Sequence, residues 1–556
     1  MTEKIKFFIS SKVIFFYLTI LLIVPVLFPL IRPGFFPTQD TIHLPRLYQM
    51  DKAIKDGQFP VRWSPDFRYG EPIFNFYAPL PFYLGVLIHS LNISYYETTK
   101  ILFGLSFLFA GTSMFFLGRK FFGNWGGVLS AVLYTYAPYH AVDVYVRGAL
   151  SESFALIFFP LIFLSSFYLS CKPSYGNFLF LVFSLAGLFL THNIMTVIFF
   201  PFFISWVIFI LWQQKKINLI KYFVLAVIFS FGLAATFLLP AYFEKIFIRP
   251  DGLLGVYFDF RGHFLELKQL FFSNWGYGAS VWGNEDGMSF SLGTIHLIIF
   301  VLSFSLLLLK RNTYKYLLFF LGFELLFSLF MLHNRSTPIW LTFPILAYVQ
   351  FPWRFLGISI FFISFIGGFC GYYLKGKLKG FLVVIIAIII LANINFFKPD
   401  FYYDNFSDKD FTSRAVLSED GRWPKDYVPV WVKKTEDAVK MDPQIIQGKA
   451  SVSNFVKTTK KAEFNVKVIE KSEIEVPIAY FPGWEVMANG KHVKLDDLSE
   501  NGLIKFTLSK GEYFIKLQFK DTIVRIIGNL TTVFFILLII FCYLYQKKLT
   551  KNNEKK

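Results

Sequence analysis

The stretch VIFFYLTILLIVPVLFPLI, residues 13–31, decides the class of this protein. It carries no charge and is long enough to cross a bilayer as a helix. It is also longer than the core of a signal peptide, and no small-x-small cleavage site precedes Arg32, so we expect a retained first span. The chain then continues with RPGFFPTQDTIHLPRLYQ, residues 32–49, in which the acid Asp40 follows the span closely.

The bulk composition agrees with a membrane protein. The 556 residues are 55% hydrophobic, 21% aromatic and only 17% charged, and the mean hydropathy is +0.51. The formal charge of +18 does not predict a nucleic-acid partner, because Lys and Arg punctuate apolar runs and do not gather on one face. The three cysteines lie in or beside apolar runs, which indicates neither a disulfide framework nor a thiolate metal site: Cys171, Cys370 and Cys542.

Apolar stretches of roughly 17 to 25 residues predict membrane spans. We expect twelve, near residues 13–31, 99–118, 125–145, 153–170, 177–191, 195–212, 219–240, 291–309, 314–333, 353–374, 379–397 and 524–545. One further segment, PLPFYLGVLIHSL at 79–91, is too short to cross comfortably and predicts an interfacial or re-entrant helix.

The distribution of positive charge predicts the sidedness of the chain. With 79–91 left out of the count, the short basic loops, the N-terminus and the tail QKKLTKNNEKK all fall on the cytoplasmic side of the cell membrane. Four long connections then face outward, at 32–98, 241–290, 334–352 and 398–523. We expect the active site on that outer face.

The last outer connection has a different character from the rest of the chain. From about Ala462 it alternates apolar and polar residues in AEFNVKVIE, SEIEVPIAYF, LIKFTLS and YFIKLQF, with turn signals at Asn489-Gly490 and Lys510-Gly511. The pattern predicts a small antiparallel β domain, which serves either as a lid or acceptor-binding module or as a spacer. The sequence thus divides into a transmembrane module (1–397), a β domain (398–523) and a final span with a basic tail (524–556).

The first outer loop contains two candidate functional residues, Asp40 and His43. Asp40 has a structural interpretation as the N-cap of a helix starting near Thr41, since Asp is among the best capping residues. The functional interpretation is a working carboxylate, with His43 one turn further on. The other outer connections favour the functional interpretation.

A second outer hairpin, YHAVDVYVRGALSESFALIFFP, places Asp143, Arg147 and Glu152 near the membrane interface. Ionisable groups at this depth are costly unless they are paired or line a wet cavity. They are therefore candidates for a binding site. The structural alternative is that Arg147 forms an ion pair with either acid and merely holds the hairpin together.

Three further residues are candidates for a functional role, two of them in outer turns and one in a span. FLTHNIMTVIFF presents His192, and YVQFPWRFLG presents Arg354, whose guanidinium can bind a lipid phosphate or can extend to the headgroups. Glu324 is the acid plainly in mid-span, in LGFELLFSLF. It could belong to a cavity or proton path, or hydrogen-bond to a neighbouring helix.

These motifs together resemble known membrane proteins. The loop beginning TQDTIHLPRLYQ, with VYVRGALSESFAL, LTHN and QFPWRFLG, resembles the bacterial family labelled 6-pyruvoyl-tetrahydropterin synthase-related. The tail AYFPGWEVMANGKHVKL is similar to the outer β domain of YfhO-like membrane proteins. Both resemble the GT-C glycosyltransferase superfamily. Pterin synthesis itself is rejected, because the eight histidines are scattered without zinc-ligand spacing.

The resemblance implies a GT-C-like glycosyltransferase that uses a polyprenyl-phosphate sugar donor and an extracytoplasmic acceptor. Asp40 then matches the superfamily's first-loop carboxylate and would act as general base in an inverting transfer. Arg354 or Arg147 would stabilise the leaving phosphate, and His43, Asp143, Glu152 and His192 would bind substrate. The resemblance leaves open a divalent cation, Mg²⁺ or Mn²⁺, held by Asp40 and Asp143. Alternative functions are a flippase for lipid-linked glycans, dependent on Glu324, and a non-catalytic scaffold in envelope assembly.

Overall fold

The computed structural model describes residues 11–249, 254–283, 285–309, 313–374, 378–418, 426–433 and 439–553. Several basic residues that predict the topology lie outside these ranges: Lys4, Lys6, Lys310, Arg311, Lys375 and Lys377. The orientation of the chain across the membrane therefore stays a prediction.

The described residues form thirteen helices of ten residues or more. They are α1 (Ser11–Ile23), α2 (His43–Lys55), α3 (Leu80–His89), α4 (Tyr95–Thr135), α5 (Leu150–Cys171), α6 (Tyr175–Thr191), α7 (Asn193–Gln213), α8 (Ile220–Phe243), α9 (Thr294–Leu309), α10 (Lys315–Met331), α11 (Leu356–Tyr373), α12 (Lys379–Asn393) and α13 (Ile523–Asn553). Short helical segments connect them, among them Val24–Leu27, Phe28–Ile31, Ile73–Phe76, Pro138–Ala141, Val142–Val146, Ile217–Leu219, Lys245–Phe247, Val256–Phe258, Phe260–Gly262, Leu267–Phe271, Asn334–Ser336, Thr337–Thr342, Pro344–Val349, Pro352–Phe355, Ile394–Phe396, Lys409–Thr412 and Arg414–Ser418.

Each apolar segment that predicts a span contains a helix, so a multi-pass α-helical membrane protein is confirmed. Within the described ranges, seven helical stretches are long and apolar enough to cross a membrane: Val13–Ile31, Tyr95–Thr135, Leu150–Cys171, Asn193–Gln213, Ile217–Phe243, Pro352–Tyr373 and Ile523–Lys548. Four apolar helices are shorter, the predicted interfacial one included: Leu80–His89, Tyr175–Thr191, Thr294–Leu308 and Gly380–Phe396. α10 and the segment Asn334–Thr342 together pass the same test but are bent by 92°. The count of twelve spans stays a prediction.

α4 is two helices that fold back on each other. The backbone leaves helical geometry at Gly123, whose φ is +75°. A Cβ added at Gly111 would lie 2.4 Å from the hydroxyl of Thr135, although residues 24 apart in one straight helix are separated by about 36 Å. A Cβ at Gly127 would lie 2.7 Å from the carbonyl oxygen of Phe115. Glycine therefore lets the two arms pack closely, as in other membrane helix pairs, and the predicted break between 118 and 125 is confirmed.

The predicted span 125–145 is too long at its C-terminal end. The helix stops at Thr135, because Pro138 lacks an amide hydrogen and Ala137 before it is extended (φ −62°, ψ 132°). The chain then forms the short helix Pro138–Ala141 and a π-helical turn, Val142–Val146. This irregular segment carries the charged residues of the second outer hairpin.

The chain divides into two compact units that do not follow sequence order. Unit 1 comprises 1–41, 96–230 and 256–406, and unit 2 comprises 42–95, 231–255 and 407–556. In unit 1, α11 is apolar on all sides and buried from Leu356 to Gly371, as expected for the central helix of a bundle. Stacked rings fill the neighbouring space, for example Phe159 on Phe199 at 4.1 Å. The three-part division by sequence stays a prediction.

Unit 2 contains a six-stranded antiparallel sheet, which confirms a small β domain before the last helix. Its strands are β1 (Gln444–Lys457), β2 (Lys461–Ala479), β3 (Trp484–Ala488), β4 (Lys491–His492), β5 (Leu503–Leu508) and β6 (Gly511–Phe519). Their order is β1-β2-β6-β3-β4, with β5 also paired to β2. The turn at Asn489-Gly490 joins β3 to β4, and Lys510-Gly511 lies at the start of β6, where the chain returns from β5, as predicted.

Two details of the β prediction are wrong. The segments AEFNVKVIE and SEIEVPIAYF belong largely to the one long strand β2. β1, which precedes Ala462, is missing from the prediction because most of its residues are exposed and its alternation is weak.

The first outer loop supplies part of the sheet's core. Trp63, Tyr69 and Phe76 are buried in one cluster with apolar residues of the strands. Trp63 packs edge-on against Trp484, with ring centroids 5.8 Å apart. The backbone amide of Ala479 donates to the carbonyl of Tyr69 at 3.0 Å. Unit 2 is therefore built jointly by residues 42–95 and the C-terminal segment.

A buried ion pair fixes α13 in unit 2. Arg525 is fully buried and donates to the Glu244 carboxylate through Nε at 3.0 Å and through an Nη at 2.8 Å. Asn75 also donates to Glu244, at 2.7 Å. Removing the charge of one partner leaves the other buried without compensation, which is costly.

We expect Glu244→Gln to lower the free energy of unfolding by about 3–5 kcal/mol, because the Arg525 guanidinium loses its counter-charge. The measurement is the unfolding midpoint of the purified protein in detergent. Glu463→Gln is the matched control, since the Glu463 side chain is 42% exposed and lies 3.7 Å from Lys516, so we expect a change within about 0.5 kcal/mol. Equal midpoints for the two variants would contradict the assignment.

Candidate functional site

The site begins where the backbone between α4 and α5 departs from α-helical geometry. In the π-helical turn, the amide of Arg147 donates to the carbonyl of Val142 at 2.8 Å, and the amide of Ala149 donates to the carbonyl of Asp143 at 2.7 Å. π-turns of this kind occur frequently at functional sites. The turn brings Asp143 and Arg147 onto one side, immediately before Glu152 in the first turn of α5.

Arg147 lies at the centre of a buried ion cluster. Its Nη1 donates to Asp143 and, at 3.3 Å, to the hydroxyl of Tyr139, and its Nη2 donates to Glu152 at 2.9 Å. The guanidinium carbon lies 4.5 Å from the ring centre of Trp353. Asp143 and Glu152 are 0% and 1% exposed. Arg147 therefore pairs with both acids, which fits the structural interpretation of the hairpin.

Arg354 joins the same cluster from the start of the last long span of unit 1. Its Nε lies 3.4 Å from Glu152 Oε2, and its Nη1 donates to the Val349 carbonyl at 2.7 Å and to Gln350 at 3.1 Å. Arg354 is 9% exposed. Two guanidinium groups thus balance two carboxylates, as buried charges require.

Asp40 reaches this cluster through its backbone. The amide of Gln39 donates to the carbonyl of Val146 at 3.0 Å, and that of Asp40 donates to the carbonyl of Arg147 at 2.7 Å. The side-chain amide of Gln39 donates to the carbonyl of Gly278 at 2.6 Å. Asp40 itself is exposed. The 38–40 segment is therefore fastened to the hairpin while the Asp40 side chain stays open to solvent.

Gly148 permits this close approach. Its φ is +68°, a conformation that favours glycine, and an added Cβ would lie 2.3 Å from Thr38 Oγ1 and 2.6 Å from Thr38 Cβ. Any larger residue here would push the 38–40 segment away from the hairpin.

Charge effects place Asp40 near the two arginines. Burial raises the pKa of the Tyr257 phenol, Asp40 raises it further, and Arg147 opposes the rise. Asp40 also acts electrostatically on Arg354. Asp40 and Arg147 therefore both lie within electrostatic range of Tyr257 and of Arg354 in unit 1.

His192 lies between α6 and α7, at the edge of the cluster. Its Nδ1 accepts a hydrogen bond from the amide of Met195 at 3.0 Å and so caps α7. The pKa of His192 is lowered to about 3, mainly by burial and also by Arg354 and Arg147, while Glu152 opposes the shift. The imidazole is therefore neutral at physiological pH and can donate only through Nε2.

The capping interpretation of Asp40 does not hold. α2 begins at His43 and not near Thr41, and its N-cap is Ile42, which makes no side-chain cap hydrogen bond. His43 belongs to unit 2, where it is buried with its ring 6.0 Å from that of Phe82. Its predicted role beside Asp40 stays a prediction.

Glu324 lies apart from the ion cluster. It is 4% exposed on α10 and lies close to Ser205 of α7, whose hydroxyl donates to the carbonyl of Phe202. This contact corresponds to the helix-packing alternative for Glu324.

The described residues contain no group of three or more His, Cys, Asp or Glu side chains arranged to hold a metal ion. Asp143, one of the two predicted ligands, already accepts a hydrogen bond from Arg147. A divalent cation held by Asp40 and Asp143 stays a prediction.

Several residues of the site are absent from the candidates that the sequence predicts. Tyr139 stands four positions before Asp143, the spacing of neighbours on a helix face, and its hydroxyl donates to Glu152 at 2.7 Å. Trp353 stands inside the motif QFPWRFLG, next to Arg354. Gln350 opens that motif with a φ of +66°, a conformation uncommon for a residue with a side chain. Tyr257 comes from an outer loop without any local signal.

Comparisons with known proteins give limited resemblance. No family model matches the chain. A protein described as uncharacterized from Lactococcus lactis subsp. cremoris (strain MG1363) is 26% identical over 336 residues, which are 57% of this chain and 53% of that protein. The chain thus spans about half the length of this relative. The crystal structure of ArnT from Cupriavidus metallidurans bound to undecaprenyl phosphate is similar with a TM-score of 0.45 and 10% identity, over 69% of this chain and 64% of ArnT.

We expect His192→Asn to change how stability depends on pH. Because the pKa of His192 is about 3 in the folded protein and about 6.5 when unfolded, the unfolded chain binds more protons between these values, and wild type loses stability as pH falls below about 6.5. Asn can still cap α7 but does not titrate. The unfolding midpoint of the variant should therefore rise relative to wild type between pH 7 and pH 4. A constant difference would contradict a neutral His192 in the folded protein.

Proposed function

We propose that this chain is a membrane glycosyltransferase that moves a sugar from a polyprenyl-phosphate donor to an extracytoplasmic acceptor. The observation that supports it is the position of Asp40: a solvent-exposed carboxylate whose backbone is bonded to Arg147 and which acts electrostatically on Arg354. A general base and a cationic group for a leaving phosphate are the two elements that such a transfer needs.

Asp40 accepts the proton of the acceptor hydroxyl as its oxygen attacks the anomeric carbon. The bond from that carbon to the phosphate oxygen breaks, and the electron pair leaves with the polyprenyl phosphate. One displacement of this kind inverts the anomeric centre. Phosphate is already a good leaving group, so stabilising its charge matters more than protonating it.

Arg354 is the better candidate for the phosphate. The donors of Arg147 are taken by Asp143, Glu152 and Tyr139. By contrast, Arg354 Nε makes no hydrogen bond among the described residues, although it is buried, and approaches Glu152 only to 3.4 Å. Arg147 then acts as a positioning residue that holds the Asp40 segment and Glu152. His192, which is neutral, and the ionised Glu152 then hold sugar hydroxyls.

We expect Asp40→Asn to lower turnover by about 10²- to 10⁴-fold, because the amide keeps the size of the side chain but cannot accept the proton. The measurement is transfer from radiolabelled polyprenyl-phosphate sugars by the purified protein. Asp404→Asn is the control, since Asp404 is an exposed acid of the same unit. Near-normal turnover in Asp40→Asn would remove Asp40 from its role, and lipid translocation without a new glycosidic linkage would favour a flippase.

We expect Gly148→Ala to lower turnover by about tenfold or more, because the added methyl group displaces Thr38 and with it Asp40, and misplacements near 1 Å are costly. Gly176→Ala is the matched control, because a Cβ there meets nothing within 4 Å. Both variants should be compared with wild type for turnover and unfolding midpoint. Unchanged turnover in Gly148→Ala, with the protein folded, would show that the 38–40 segment need not lie against the hairpin.

A further inference from the structure

Unit 2 contains a cavity of about 150 Å³ that the proposed transfer does not use. It lies between the C-terminal half of α2, the loop at Pro65 and Asp66, the short helix Arg414–Ser418 and the first two strands of the sheet. Its charged lining is four cationic side chains and one carboxylate: Lys52, Arg414, Lys440, Lys457 and Asp66. Among the described residues, positive charge therefore exceeds negative charge at this cavity.

The single carboxylate, Asp66, is already paired with neighbouring side chains. Lys52 donates to Asp66 Oδ2 at 2.6 Å and Gln49 donates to the same oxygen at 3.0 Å. Arg414 lies 4.0 Å from the other carboxylate oxygen and donates to the backbone carbonyls of Asp66 and Arg68. Burial alone would raise the pKa of Asp66, but Lys52, Gln49 and Arg414 outweigh it and hold that pKa below its usual value. Asp66 is thus ionised at neutral pH and accounts for one cation.

Lys457 has only weak hydrogen-bond partners. Its ammonium approaches the carbonyl oxygens of Pro65 and Pro477 at 3.3 and 3.4 Å, longer than the 2.7–2.9 Å of a strong charged hydrogen bond. The pKa of Lys457 is lowered to about 7, mainly by burial and also by Arg414 and Lys52, while Asp66 opposes the shift. Lys457 is therefore a fourth cation whose burial costs free energy, and a bound anion would offset that cost.

We propose that this cavity binds the phosphate group of an anionic ligand, with Lys457, Arg414 and Lys440 as its direct contacts. A doubly charged oxyanion matches the excess of cations, and Arg with Lys is the usual combination for phosphate. The volume suits one phosphate group and not a whole oligosaccharide. The site does not depend on the transferase proposal, since none of its residues serves in that reaction.

The binding should be linked to protonation of Lys457. The charged groups that face it are Lys52, Asp66, Arg414 and Lys440. A bound anion favours the charged lysine and raises its pKa, so the protein takes up a proton on binding when the pH lies above about 7. Affinity should therefore fall as the pH rises from about 7 to 9.

The test is calorimetric titration of the full-length protein, in nanodiscs of zwitterionic lipid, with inorganic phosphate, glucose 1-phosphate and short-chain phosphatidic acid. We expect saturable binding of inorganic phosphate, weakened about tenfold or more in Lys457→Met and in Lys440→Gln. Titrations in two buffers of different ionisation enthalpy should show proton uptake at pH 8 in wild type and not in Lys457→Met. Tighter binding of the sugar phosphate or of the lipid identifies which source supplies the phosphate.

Lys449→Met is the matched control, because Lys449 is exposed on the same strand as Lys457 and does not line the cavity. Its phosphate affinity should equal that of wild type. Lys440 is exposed, so Lys440→Gln tests the site even if Lys457→Met fails to fold. Absence of saturable binding at millimolar concentrations of all three ligands, or wild-type affinity in both cavity variants, would overturn the proposal.

Discussion

The mutual neutralisation of two arginines and two carboxylates is the constraint on which the candidate site of unit 1 depends. Asp143 and Glu152 are almost wholly removed from water, and such charges persist only where opposite charge and hydrogen bonds compensate the lost hydration. Arg147 supplies most of that compensation. The carbonyls on its own turn hold the segment that carries Asp40, so the same few residues determine both the electrostatics of the cluster and the position of Asp40.

The acids of the site differ in their exposure to solvent, a difference that the sequence does not show. Asp143 Oδ1 and Glu152 Oε2 accept hydrogen bonds from Arg147, and both acids are buried, which makes them poorly suited to exchange protons with a substrate. Asp40 is exposed, and a general base must be reachable by the group whose proton it takes. The two arginines also differ in their bonding. Both terminal nitrogens of Arg147 donate to side chains of the cluster, whereas the hydrogen bonds of Arg354 are made through Nη1.

Features encoded by local periodicity could be predicted from the sequence, whereas features decided by long-range packing could not. The apolar runs predicted helices, and the alternation around Phe464 and Ile515 predicted strands, because these patterns follow directly from helical and extended geometry. The end of α4 at Thr135 was misjudged since hydropathy continued through Pro138. β1 was missed since an exposed edge strand needs no apolar face.

The motifs containing Asp143, Arg147, Glu152 and Arg354 marked residues that do come together, but hydropathy cannot show that one arginine pairs with both acids. Tyr257 carried no signal, because its position depends on the path of a long loop.

The composite origin of unit 2 has a consequence for biosynthesis. Its first part, 42–95, is translated about 310 residues before the segment beginning at Ser407, a delay of roughly 15 to 60 s at common elongation rates. During that interval Trp63, Tyr69 and Phe76 have no strands to bury them. The nascent chain therefore carries an aromatic-rich segment whose folding partner has not yet been synthesised.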